Sequence, residues 1–119
     1  MRICLINYKI LTIPNFDKQV KRLVKKYPSF KKDISELAQS LSENPKQGTN
    51  LGNNFYKVRM SITSKSKGKR SGARVITFIQ ILETTVYLSY IYDKSDKSTI
   101  SDLELKELFK LLPENKKIL

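Results

Sequence analysis

Apolar and polar positions along this chain repeat with two different periods, and the changes from one period to the other divide it into elements. Tyr8 to Ile13 is rich in β-branched and aromatic side chains and stops at Pro14, where a backbone donor is missing, which predicts a first strand. Phe16, Val20, Leu23, Val24 and Tyr27 then recur at the spacing of one helical face, with Asn15 placed to cap the helix and Pro28 to stop it. The same spacing returns in Phe30, Ile34, Leu37, Ala38 and Leu41, between Ser29 as a cap and Asn44-Pro45 as a terminator. Two amphipathic helices in succession form a hairpin.

From Phe55 to Ile62 the period falls to two: Tyr56, Val58, Met60 and Ile62 point one way, Lys57, Arg59 and Ser61 the other. Ala73 to Leu82 and Thr85 to Tyr92 are apolar and β-rich, joined by Glu83-Thr84, and read as an antiparallel hairpin near the sheet centre. A final helix starts at a capping box of Ser101 and Glu104, presents Leu105, Leu108, Phe109 and Leu112, and ends at Pro113. The order βααβββα predicts an α+β fold, with helices on one face of an antiparallel sheet and the other face partly free.

A length of 119 residues with 39% apolar content supports one core, so residues 1–119 read as a single domain. Lys and Arg number 23 against 11 Asp and Glu, a net charge of +12 that favours a polyanionic partner, nucleic acid first. The lone Cys4 rules out an internal disulfide, fits a reducing compartment, and reads as a small buried apolar residue. Histidine is absent, which removes imidazole-based hydrolysis and His-ligated metal sites and leaves Lys, Arg, Tyr and carboxylates for any chemistry. No cofactor is implied. Ile3 to Ile6 is shorter than the apolar core of an export signal, and Val75 to Leu82 is far too short to cross a bilayer. The expectation is a cytoplasmic protein with no membrane partner.

The charge is concentrated in residues 57–74, which hold seven basic side chains and no acidic one. Four of them, Lys65, Lys67, Lys69 and Arg70, lie in a Ser- and Gly-containing loop that reads as a flexible, phosphate-seeking arm. Lys57, Arg59 and Arg74 flank that loop on neighbouring strands and converge on the free sheet face, where like charges call for an anion. Tyr87 falls on the opposite face of its strand from Tyr90 and Tyr92. Tyr92 ends that strand beside Lys94 and Lys97, which can reach toward the same face. The basic face of the first helix, Lys18, Lys21, Arg22, Lys25 and Lys26, reads as solvated surface that adds to an RNA-directed field. In the last helix Leu103, Leu105, Leu108, Phe109, Leu111 and Leu112 exceed what one packed face buries, so part of it suits a partner helix.

The element order, Phe55-Tyr56-Lys57-Val58-Arg59-Met60, Gly72-Ala73-Arg74-Val75-Ile76 and a last strand ending Tyr92-Asp93-Lys94-Ser95 together resemble the RelE/ParE superfamily of bacterial type II toxin-antitoxin toxins, over about residues 8–112. The RelE branch implies a metal-independent, ribosome-dependent endoribonuclease that cuts mRNA by 2′-hydroxyl attack, held in check by a cognate antitoxin. Lys57 and Arg59 match the family's two strand cations, and Arg74 its central phosphate-holding arginine. The family's later arginine and C-terminal tyrosine fall at Ser95 and Ser101, with Lys94, Lys97 and Tyr92 nearby as substitutes. The resemblance thus implies Lys57, Arg59, Arg74, Tyr92 and Lys94 as catalytic, with Lys57 in proton transfer or charge stabilisation, and Lys65, Lys67, Lys69, Arg70 and Lys97 as RNA-binding. The ParE branch, which inhibits DNA gyrase without cutting RNA, and a noncatalytic RNA-binding module are the alternatives.

Overall fold

The computed structural model describes residues 7–65 and 72–113, so the expectations on Ile3 to Ile6, Cys4, Lys67, Lys69 and Arg70 lie outside the described residues. In chain order the elements are β1 (Lys9–Thr12), α1 (Pro14–Lys26), α2 (Phe30–Glu43), β2 (Thr49–Gly52), β3 (Phe55–Met60), a short 3-10 helix (Thr63–Lys65), β4 (Ala73–Gln80), β5 (Thr85–Asp93) and α3 (Asp102–Leu111). The five strands form one sheet in the order β1-β5-β4-β3-β2.

Local chemistry explains where the elements begin. Pro14 is the first residue of α1 rather than the end of the strand, because the first turn of a helix needs no backbone donor and proline presets its φ. Ile13 therefore takes the cap position without a side-chain bond, and Asn15, the predicted cap, instead donates its amide to the Ser89 carbonyl at 3.4 Å. Ser29 precedes α2, but its hydroxyl serves Asp33 (2.8 Å) and the Ser64 N–H (2.9 Å) rather than the helix. In α3 the capping box forms as its sequence requires: Ser101 accepts from the Glu104 N–H and Glu104 accepts from the Ser101 N–H.

The structure corrects the expected topology in three places. β2 is an extra strand; Thr49-Asn50-Leu51-Gly52 holds one large apolar residue, so it shows no alternation, and pairing with β3 creates it. Its turn is Asn53-Asn54, with φ of 53° and 68°, a two-residue connection of the kind asparagine tolerates. β1 runs parallel to β5, which makes the sheet mixed rather than antiparallel. Finally, the helices do not share a face. The α1–α2 hairpin covers one side, where Tyr27 reaches Asp93 on β5, while α3 sets Phe109 against Phe78 on the other, ring centroids 6.0 Å apart. β4 and β5 are buried along nearly their whole length as a result, with Val75, Val86 and Ile91 facing the hairpin and Phe78 facing α3.

A candidate phosphate site on the sheet

The functional candidates are assembled by strand register. Arg59 stands opposite Arg74, and Arg74 opposite Tyr92, so the three side chains form one row across β3, β4 and β5 on a single face. The next row is Lys57, Ile76 and Tyr90, and the next but one is Phe55, Phe78 and Tyr87. Tyr87 therefore shares the face of Tyr90 and Tyr92, against the alternation in the sequence. The cause is a bulge: Ile76 pairs with Tyr90 while Thr77 pairs with Leu88, and the extra residue, Ser89, restores Tyr87 to that side. Gly72 permits the close start of β4 at this end of the sheet, because a Cβ there would lie 2.0 Å from the Met60 carbonyl oxygen.

The row is electrostatically asymmetric. Arg59 is exposed and Lys57 half-buried, whereas Arg74 is 4% exposed and donates to the carbonyl of Ala73 at 3.1 Å. Burial first, and then the charge of Arg59, lower the Arg74 pKa from its usual value, while Tyr92 opposes them. Tyr92 is equally enclosed, and among the described residues its hydroxyl finds no hydrogen-bond partner. Burial raises its pKa above the ordinary tyrosine value, with Arg74 and Lys97 pulling the other way, so the phenol stays protonated and available as a donor. Lys97 lies within electrostatic reach of Tyr90 and Tyr92 and is paired with Glu104 at 2.6 Å, the contact that raises the pKa of Lys97 and lowers that of Glu104.

Two expected members are placed differently. Lys65 is not part of a solvated arm: its ammonium meets Asp93 at 2.6 Å and Ser95 at 3.1 Å, on the side opposite the arginine row. A buried carboxylate draws it in, and Asp93 showed no sign of burial in the sequence because an aspartate beside lysines reads as a turn. Lys94 is half-buried, and its N–H closes the strand end on the Gly72 carbonyl at 2.9 Å. Lys57, Arg59, Arg74 and Tyr92 are brought together; Lys97 joins them through the turn after β5. Sequence reasoning did not single out the Lys97–Glu104 pair or Asp93; the i, i+7 spacing of Lys97 and Glu104 across a cap was the one available signal.

The same face carries an apolar groove of about 880 Å³ between the β2–β3 turn and α3, lined by Leu51, Phe55, Phe78, Leu105 and Phe109 among others. Among the described residues no group of three or more His, Cys, Asp or Glu could hold a metal ion, and no helix is long and apolar enough to cross a membrane.

Comparison with known proteins adds the following. A family model described as the RelE toxin of the RelE/RelB toxin-antitoxin system matches residues 10–117. Among solved structures the chain is similar to an E. coli toxin RelE in the free state, a mutant with two arginines replaced by alanine, at a TM-score of 0.59 and 14% identity, covering 96% of this chain and 100% of that one. No curated protein sequence matches.

Proposed function

The chain belongs to the RelE toxin family of toxin-antitoxin systems, and from that premise we propose that it is a ribosome-dependent endoribonuclease that stops translation by cutting messenger RNA. The observation that carries this reading is the Arg59–Arg74–Tyr92 row: two guanidinium groups and a protonated phenol on one sheet face, with Lys57 one row away and Lys97 beside it. In the reaction a ribose 2′-hydroxyl gives up its proton to solvent or a neighbouring base as its oxygen bonds to the adjacent phosphorus, the bond to the 5′-oxygen breaks, and the leaving oxygen takes up a proton. Negative charge builds on the nonbridging oxygens meanwhile.

Arg74 suits that charge. Enclosed on the sheet, it is oriented before substrate arrives and acts where solvent screens it least. Arg59 is the exposed partner that meets the phosphate first. Tyr92 donates its hydroxyl hydrogen to the reacting phosphate or the leaving oxygen, and Lys57 serves proton transfer or charge stabilisation. Lys97 holds neighbouring RNA backbone, and Lys94 belongs with the strand end that supports the row. The net charge of +12 supports a polyanionic substrate and an acidic antitoxin able to cover it.

The test is brief expression without antitoxin, followed by mapping of mRNA 5′ ends. In-frame cuts within coding regions are expected. Intact messages together with lost negative supercoiling would move the protein to the gyrase-inhibiting branch, and intact messages with normal supercoiling would leave RNA binding alone.

A further inference from the structure

Asp93 is a carboxylate with 1% side-chain exposure at the end of β5, between the two site residues Tyr92 and Lys97, on the opposite side of the sheet from the row. Two distant parts of the chain converge on it. Lys65, the last residue of the 3-10 helix, bonds Oδ1 at 2.6 Å; at the end of α1, Tyr27 donates to Oδ2 at 2.5 Å and Lys26 stands 3.7 Å from Oδ2. Oδ1 also accepts from the N–H (3.0 Å) and hydroxyl (2.6 Å) of Ser95, and the Asp93 carbonyl accepts from the N–H groups of Asp96 (2.9 Å) and Lys97 (3.1 Å). The turn that delivers Lys97 to Tyr92 is thus wound around this one residue.

Buried ion pairs of this kind add little net stability compared with apolar residues of similar volume, since desolvation offsets the attraction. What they do impose is geometry. We propose that Asp93 is a positioning residue for the site: it touches no substrate, and it fixes Tyr92 and Lys97 relative to Arg74 by tying the strand end and the following turn to α1 and to Lys65. The inference rests on the endoribonuclease reading and names how that site is kept in register.

Removing only the carboxylate would strand Lys65, so the informative variants neutralise both. Asp93→Ala/Lys65→Met is expected to fold with a near-native far-UV spectrum and to lose tenfold or more in kcat for ribosome-bound mRNA with little change in KM, because Arg59 and the other cations still bind RNA. Asp93→Asn/Lys65→Met keeps an oxygen for the Ser95 N–H and is expected to recover most of the rate. In a Tyr92→Phe/Lys97→Gln background the Ala variant should cause no further loss. Amide exchange at Ser95, Asp96 and Lys97 requires no substrate, and is expected to speed up at least tenfold in the Ala variant but not in the Asn variant. A folded Ala variant with wild-type kcat, a loss that Asn does not recover, full additivity with Tyr92→Phe/Lys97→Gln, or unchanged exchange in that turn would each overturn the proposal. A wild-type protein that leaves mRNA uncut would instead overturn the endoribonuclease reading, and the exchange experiment would still decide the role of Asp93 in setting the turn.

Discussion

Single residues separate into those that hold charge apart and those that hold it together. Arg74 and Arg59 face each other across β3 and β4, and two like charges opposite one another favour an anion between them. Arg74→Ala should therefore slow mRNA cleavage about 100-fold or more, the scale of losing one donor to a developing oxyanion, while circular dichroism reports an intact fold. The buried carboxylates behave in the opposite way. Burial alone would push Asp93 and Asp33 up, yet hydrogen bonds from Lys65, Ser95 and Tyr27 to Asp93, and from Thr63 and Ser29 to Asp33, hold both below the usual carboxylate range. Each group is a stronger acid folded than unfolded. The stability this supplies is complete above the unfolded carboxylate value of about 4 and drains away as pH falls below it. Thermal melts should show Tm dropping from about pH 5 to pH 3, and the drop should be shallower in Asp93→Asn/Lys65→Met. An equal drop in both proteins would assign the acid sensitivity elsewhere.

Among elements, the β2–β3 hairpin and α3 matter most because they border the site face. The hairpin depends on two consecutive left-handed asparagines, and Asn54 at φ 68° occupies the position where glycine is the better fit. Asn54→Gly is expected to stabilise the protein by about 0.5 kcal/mol, and Asn54→Val to destabilise it by about 1 kcal/mol or more, measured by urea denaturation. α3 is held at its start by the Ser101–Glu104 box and along its length by Leu108 and Leu112, with Phe109 on Phe78. Ser101→Ala should cost about 1 kcal/mol. The surplus of leucines read from the sequence is real: Leu103 and Leu111 are 69% and 53% exposed on α3, in addition to Leu105 and Phe109, which line the apolar groove. If the antitoxin docks there, hydrogen exchange over residues 101–112 slows when it binds; full neutralisation with unchanged exchange would place it elsewhere.

For the whole molecule the relevant quantity is how a charge of +12 is distributed over a body of 43 × 41 × 22 Å. Exposed Lys18, Lys21, Arg22 and Lys25 lie on α1, over the sheet face opposite the arginine row, so the flat molecule presents cations on both broad sides. Ribosome or RNA binding should be steeply salt dependent, because each phosphate contact releases counterions. Lys65 already has its anion inside the protein. Replacing Lys67, Lys69 and Arg70 with Gln should consequently flatten the plot of log affinity against log salt as much as replacing all four loop cations, and Lys65→Gln alone should leave the slope unchanged. A slope that falls with Lys65→Gln would return that residue to the RNA-binding surface.

What the sequence determined by itself were features that depend on neighbours along the chain. The helix periods of α1 and α2, the capping box of α3, the alternation of β3 and the hairpin of β4 and β5 are local, and the cation cluster of Lys57, Arg59 and Arg74 followed once two of those strands were placed. Tertiary structure alone decided whatever depends on a partner far along the chain. β2 has no pattern of its own and exists by pairing with β3; β1 joins β5 in parallel although two helices and three strands separate them along the chain. The bulge at Ser89 reversed the facing of Tyr87, a change of one residue in register that alternation cannot foresee. Lys65 and Asp93 are 28 residues apart and each looks solvated in its own surroundings; only when β3, β5 and α1 meet does burial turn them into an ion pair. Local pattern reports what a segment can hide from water, and packing decides which segment hides it.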